Sequence, residues 1–572
     1  MHGKLPNSRL TPAFASVRRF GRAATVRVLQ WSGRDAGILV FAVVLVLSGH
    51  GPLADTAATF DRAVVVASAT TTRDPETGIF SVELAPAILP SELAVIDPGR
   101  SDAAGRMLRQ LYAKGRAAGL DGVLYDNRDR GHSVLPPDAF PQFSRAVYSR
   151  PFVAEGLDYG VAGLIRFPFP VIGNSSTALT RGALARSLGR VALADQGAAL
   201  RSYELYAANH IYVYPGHRDH QRDFGDRLFA NTPLFLLSQG SSGSDQPLLD
   251  ALALCLAAFR PETRIRLEDA GLIAPTAQMV LRRTMEGVDG PADYLSPIAH
   301  PPVFDPARLR PDAIVRLANS LAADSIPPMV RLEVLSDFGA LAGRDFLGEN
   351  QSELLFTTPT AVGRAWRSFA HERRVTLSAA NTIDPNGRPL RFHWVTLLGN
   401  PADVRISPRD PGGAVADIEF DWPRQVPVQP QIGLSASRFD LAVIADNGVT
   451  FSAPATFSVS LPLFQNRDYR QGTDGAWRLR SLDYWVDAED AYADPTIWPT
   501  GDWEDGMIYT AEGRLDGFER RFEDGQVLRL RFGLEGLGRA DAAAPQRLHH
   551  LALPTESGPL AYVIWTTEGA VQ

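Results

Sequence analysis

Residues 232–259 read "TPLFLLSQGSSGSDQPLLDALALCLAAF". A short apolar run ends in a turn of serines and glycines, and a second run long enough for about four helical turns follows. A strand that turns directly into a helix is half of a βαβ unit, so this stretch predicts an α/β domain with a partly parallel sheet. A helix beginning near Gln246 leaves its first N–H groups without partners, and Ser244 or Asp245 supplies the N-cap. Pro247 suits the first turn, where its missing N–H costs nothing. Capping leaves Gly240, Ser241, Ser242 and Gly243 unexplained. Turn amides and the helix dipole converge at such a place, which makes it a candidate anion or oxyanion site. Ligands of open α/β sheets bind at the carboxyl ends of strands, where this turn lies.

Upstream the same texture recurs. "HIYVYP" (210–215) reads as a strand after the helical "SYELYAAN" (202–209). "ELAVID" (92–97) predicts a short strand. In the helix over 101–119, Ser101 is the N-cap and Met107, Leu108 and Leu111 form the apolar stripe; "LDGVLYDN" (120–127) predicts the next strand. Further helices are predicted at 276–285 and 311–324, and together these elements make residues 58–365 one α/β domain.

Near residue 366 the pattern changes to alternating strands. Leu390, Phe392 and Trp394 fall at period two and share a sheet face, as do Phe439, Leu441 and Val443. Asn386–Gly387 and Asn447–Gly448 are tight-turn signals between strands. Asp384, Pro385, Asn386, Gly387, Pro389, Leu390, Phe392 and Trp394, followed by Asp446, Asn447 and Gly448, carry a resemblance. Residues 372–462 resemble a PKD-type immunoglobulin-like β-sandwich, although "WVTLLGNP" stands where that family has W-x-F-G-D-G. The resemblance implies a sandwich over 366–462 serving as an extracellular accessory or spacer, and it implies no catalysis. Residues 463–572 hold Trp477, Trp485, Trp498, Trp503 and Trp565, and 506–532 read as a three-strand meander turning at Glu512–Gly513 and Asp524–Gly525. The fold class expected is therefore multidomain: an α/β domain, an Ig/PKD-like sandwich and a small aromatic-rich β domain.

Composition removes several chemistries. Lysine occurs only at Lys4 and Lys114, which excludes a G-x-x-x-x-G-K-[ST] phosphate loop. Cys255 is the single cysteine, which excludes intramolecular disulfides and cysteine-rich metal sites. Residues 1–57 read as an export signal or an N-terminal anchor: seven basic residues precede the apolar "AGILVFAVVLVL" at 36–47, and extension through residue 54 approaches a membrane span. Removing seven positive and two negative charges with this segment takes the chain from −7 to −12. So acidic a chain is a poor polyanion binder, and nucleic acid is not expected as a partner. The expected location is periplasmic or extracellular, with membrane contact only through an uncleaved N-terminal segment.

Three further polar clusters accompany the serine turn. "NHIYVYPGHRDHQRD" (209–223) offers His217, Asp219, His220 and Asp223, and "LYDNRDRGHS" (124–133) offers Asp126, Asn127, Asp129 and His132. "VIGNSSTALTR" (171–181) offers Asn174, Ser175 and Ser176. Most follow short apolar strands, so one sheet edge gathers them. Two function classes follow. In the first, a secreted hydrolase acts on an envelope or environmental polymer. Ser242 or a bound water attacks, His217 or His220 is the base, Asp126 orients it, and the Ser241–Ser244 amides hold the oxyanion. Ser238, Gln239, Gly240, Asp245, Asn127, His132 and Asn174 then contribute binding. In the second, a non-catalytic surface protein grips a glycan or a protein through the same turns. No cofactor and no metal site is assigned, because H-x-x-H lacks the helical spacing of a zinc motif.

Overall fold

The computed structural model describes residues 62–83, 92–160, 164–175, 178–179, 186–187, 189, 192–216, 230–241, 243–423, 427–429, 434–435, 438–461, 465–484, 503–533, 536–540, 546–555 and 558–567. The predicted parallel sheet is present. Its six strands are β1 (Ala63–Val66), β2 (Leu124–Asn127), β3 (Ser144–Tyr148), β4 (Val171–Asn174), β5 (His210–Pro215) and β6 (Leu236–Ser238). They lie in the order β1-β3-β2-β4-β5-β6, and every neighbouring pair is parallel. Strand β5 is buried along its whole length, which is why "HIYVYP" is apolar and β-branched without polar alternation. The chain leaves β2 toward β3 on one side and later leaves β4 toward β5 on the other. The carboxyl ends of β2 and β4 therefore flank the point where the winding direction reverses.

Helices α1 (Ala103–Ala113), α2 (Gln196–Ala207), α3 (Gln246–Ala258), α4 (Ile273–Thr284) and α5 (Pro311–Ser320) accompany the sheet. Helix α3 packs on α1, α4, α5 and β4, and its uniformly apolar sequence follows from burial of nearly every side chain, Cys255 included. Two local expectations are corrected. Residues 92–97 form bends rather than a strand: Val95 and Ile96 are buried as an apolar plug tied by one backbone bond from Asp97 to Ala139. The Asp97 carboxylate then turns the chain by accepting the Gly99 N–H at 2.7 Å. Helix α1 is capped by Asp102 instead of Ser101: the helix starts at Ala103, so Asp102 holds the N-cap position and its carboxylate accepts the Gly105 N–H at 2.7 Å.

Two antiparallel-rich sheets follow. Their strands are β7 (Glu333–Ser336), β8 (Leu354–Thr357), β9 (Ala361–Ala365), β10 (Glu372–Ser378), β11 (Arg391–Leu398), β12 (Val404–Pro408), β13 (Val415–Asp421), β14 (Arg438–Asp446) and β15 (Ala455–Ser460). One sheet runs β7-β10-β13-β12 and the other β8-β9-β15-β14-β11. Phe439, Leu441 and Val443 face the core between them, as their spacing predicts, together with Phe392, Leu377 and Ile418. The sheet texture starts earlier than residue 366, since β9 pairs in parallel with β15. Strand β14 is buried on both faces: Ile444 joins Leu355, Phe356 and Ala453 in the core of the α/β layer. Asn231 ties the layers by accepting from Thr456 Oγ1 at 2.8 Å and donating to Ser458 Oγ at 2.9 Å.

An eight-stranded antiparallel meander closes the described chain: β16 (Gln465–Gln471), β17 (Trp477–Tyr484), β18 (Trp503–Tyr509), β19 (Leu515–Phe522), β20 (Val527–Gly533), β21 (Gly536–Arg539), β22 (Gln546–Thr555) and β23 (Gly558–Thr567). The predicted turns hold, and Gly513 and Gly525 occupy them with φ of 78° and 84°, where a Cβ would be strained. Phe518, Leu530 and Leu548 form one of its cores with Leu347. Among the described residues no helix is long and apolar enough to cross a membrane, and the segment 36–54 lies outside them.

Candidate active site

The end of β2 and the loop leaving it carry two acidic residues, Asp126 in the strand and Asp129 in the loop, that serve different purposes. Asp126 is completely buried. Its Oδ1 accepts from the Tyr148 hydroxyl and its Oδ2 from the Tyr212 hydroxyl, both at 2.6 Å. The Tyr212 ring reaches across β4 because Gly173 lies beneath it; a Cβ there would stand 2.2 Å from the ring. Arg128 is also fully buried, 3.9 Å from Asp126 Oδ2, and donates to the carbonyls of Leu157 and Gly160. Burial, reinforced by Asp126, drives both tyrosine hydroxyls well above their ordinary pKa. This hub corrects the role expected of Asp126. Both of its oxygens already hold tyrosine hydroxyls, so it locks strands together rather than orienting a histidine.

The second acidic residue opens toward the serine turn. Asn174, the last residue of β4, is buried, and its Nδ2 donates to Asp129 Oδ2 at 3.1 Å, Asp245 Oδ2 at 2.9 Å and the Ser133 carbonyl at 3.0 Å. Its Oδ1 accepts from the Tyr125 hydroxyl at 2.8 Å, which fixes the amide orientation. One amide nitrogen thus bridges two buried carboxylates whose facing oxygens are no more than about 6 Å apart. Asp129 is shaped by its own loop, its oxygens accepting the N–H groups of Gly131 and Ser133. Burial raises its pKa; the two amide bonds oppose that, and the neighbouring Asp245 adds to it.

The serine turn meets this cluster. Gly243 N–H donates to Ser133 Oγ at 2.8 Å, and Ser238 Oγ and Ser244 Oγ lie 2.8 Å apart. Asp245 occupies the N-cap position of α3 without capping it; its carboxylate is drawn to Asn174 instead. Two of the four amides expected to form the oxyanion hole already have partners. The Gly243 amide is taken by Ser133 Oγ and the Ser244 amide by the Ser241 carbonyl, so neither points at a vacant position. Ser241, Gln239 and His132 are exposed, and Gly240 turns the chain at φ 122°. Asn127 Oδ1 accepts the Asp129 N–H at 3.1 Å and so shapes the acidic loop. Ser242, His217 and His220 lie outside the described residues. A groove of about 380 Å³, lined by Leu135, Pro136, Gln246, Pro247, Pro306 and Leu309, flanks the cluster.

The structure therefore gathers Asp129, Asn174, Gly243 and Asp245 at the reversal point of the sheet, and gives a part to Ser133, the last residue of "LYDNRDRGHS", to which the sequence assigned no role. Tyr148 and Tyr212 were missed also; both read as strand aromatics, and nothing local signals the partner of either hydroxyl. No protein-family model matches the chain, and no curated protein sequence does. Among solved structures, one similar chain is a nucleoside hydrolase-related hypothetical protein from Saccharophagus degradans that is associated with carbohydrate metabolism. It is 10% identical over 51% of this chain and 71% of its own, with a TM-score of 0.18, an overlap too slight to carry an argument.

Proposed function

We propose that the chain is an exported hydrolase of glycans or related polymers, and that carboxylates run its chemistry. The carrying observation is the Asp129–Asn174–Asp245 bridge at the carboxyl edge of a parallel sheet, where its winding reverses. Two acids held close, one with a raised pKa, are the pairing that acid–base hydrolysis requires. Asp129, kept protonated to higher pH by burial, is the general acid. Asp245 is the base or nucleophile, and Asn174 holds the pair in register. The sandwich serves as an accessory domain, as its resemblance implies.

The test is hydrolysis of aryl glycosides and soluble polysaccharides by the secreted chain. Asp129→Asn and Asp245→Asn are each expected to lower kcat by at least about 100-fold, within the range of acid–base catalysis. The protonated Asp129 is consumed as pH rises through its raised pKa, so the wild-type rate falls on the alkaline side and Asp129→Asn abolishes that limb. Full activity in both variants, with loss in Ser242→Ala together with fluorophosphonate labelling, would hand the reaction to the serine. Glycan retention without turnover would favour the binding protein.

A further inference from the structure

On the outer face of the β7-β10-β13-β12 sheet, carboxylates alternate with arginines. Glu419 is held by Arg374 at 2.9 Å and Arg405 at 3.0 Å, Asp417 by Arg409 at 2.7 Å, and Asp421 by Arg405. Glu372 breaks the pattern. It stands directly opposite Asp421 in the β10–β13 ladder, a like-charge pairing that destabilises a sheet, and among the described residues its carboxylate has neither a hydrogen bond nor an ion pair. His371 precedes it. The imidazole is stacked on Trp477 at 4.8 Å and 12° and meets Tyr469 edge-on at 5.0 Å, so its plane is fixed from the neighbouring meander. Its Nδ1 is buried, and among the described residues neither ring nitrogen has a hydrogen-bond partner.

We propose that His371, Glu372 and Asp421 form a binding site for a divalent transition-metal ion such as Zn²⁺. One donor atom from each lies within 4.8 Å of the others. Donors sharing a tetrahedral zinc at about 2.0–2.2 Å stand about 3.3–3.6 Å apart, so closure of about 1–1.5 Å at the widest pair completes the set. Glu372 is exposed and unpaired, which leaves its side chain able to supply that closure. One imidazole with two carboxylates suits zinc, cobalt or nickel better than calcium or magnesium, which take oxygen alone. The ion would relieve the Glu372–Asp421 repulsion and occupy an imidazole nitrogen that has no partner. Arg405 is its competitor, since it already neutralises Asp421.

The experiment is calorimetric titration of the chelator-treated full chain with Zn²⁺ and separately with Ca²⁺. Trp477 fluorescence under Co²⁺ serves as a second readout. One Zn²⁺ is expected to be lost on His371→Ala, with affinity falling at least tenfold. Glu372→Gln, an exposed change that leaves the fold intact, is expected to weaken binding several-fold, and Arg405→Gln to tighten it. Co²⁺ quenches the wild type and not Trp477→Phe. Zn²⁺ binding undiminished by both His371→Ala and Glu372→Gln would place the ion elsewhere and overturn the proposal. Ca²⁺ binding as strong as Zn²⁺ would reduce the site to an acidic patch and overturn it equally.

Discussion

A guanidinium keeps its charge in any protein interior, so a fully buried Arg128 must be answered by acceptors already in place. Carbonyl oxygens answer it on one side and Asp126 on the other, with Tyr148 and Tyr212 completing the network. Asp126→Ala takes away the countercharge and strands two tyrosine hydroxyls; the expected loss is about 3–5 kcal/mol, measured from urea unfolding. Asp126→Asn, whose amide oxygen still accepts one hydroxyl, is expected to lose less. A loss under about 1 kcal/mol in the alanine variant would show that the hub does not hold these strands. At this scale the sequence was half legible. Asn174 and Gly243 stood out because polar residues at strand ends and glycines in such a turn have few structural uses, whereas Asp245 read first as a helix cap. Tyr148 and Tyr212 did not, since an aromatic residue in a strand looks like core and nothing local tells where its hydroxyl ends. The division of labour between Asp126 and Asp129 depends on partners about 20 to 120 residues away, and no spacing within "LYDNRDRGHS" encodes it.

Element by element, legibility followed burial. Strand β5 and helix α3 were read almost to their ends because their apolar runs are long and sharply bounded. Residues 92–97 were misread because a buried apolar plug and a strand share one composition, and only the missing ladder partner separates them. Strand β14 carries the clearest lesson. Its alternation places Phe439, Leu441 and Val443 on one face and says nothing of the other, yet Ile444 is as buried as its neighbours because a second layer covers that face. Leu441→Ala and Ile444→Ala are therefore both expected to cost about 2–5 kcal/mol, one in each core. Were the Ile444 face open to water, its substitution would change stability by about 0.5 kcal/mol or less. Thermal unfolding of the two variants side by side separates these outcomes.

Across the whole molecule, the double burial of β14 bears on where one folding unit ends. Leu355, Phe356, Ala361 and Ala365 lie before residue 366 in the chain but share a core with the α/β layer, and β9 finds its parallel partner in β15, nearly a hundred residues later. Tyr294 donates to the Ser452 carbonyl at 2.7 Å and Asn231 bonds both Thr456 and Ser458, so polar groups inside the α/β layer are satisfied by the sandwich. Cutting the chain at residue 365 would leave those buried groups without partners, each costing about 1–3 kcal/mol, and would bare the apolar side of β8 and β9. A fragment of residues 60–365 is accordingly expected to aggregate or to bind ANS without a sharp urea transition. The α/β layer and the sandwich in residues 60–572 are expected to unfold together, with near-ultraviolet dichroism and tryptophan fluorescence reporting one midpoint. A soluble fragment 60–365 that unfolds cooperatively would show instead that the shared core is a contact between two self-sufficient bodies. The Asp129–Asn174–Asp245 site would then have to work when the sandwich is removed.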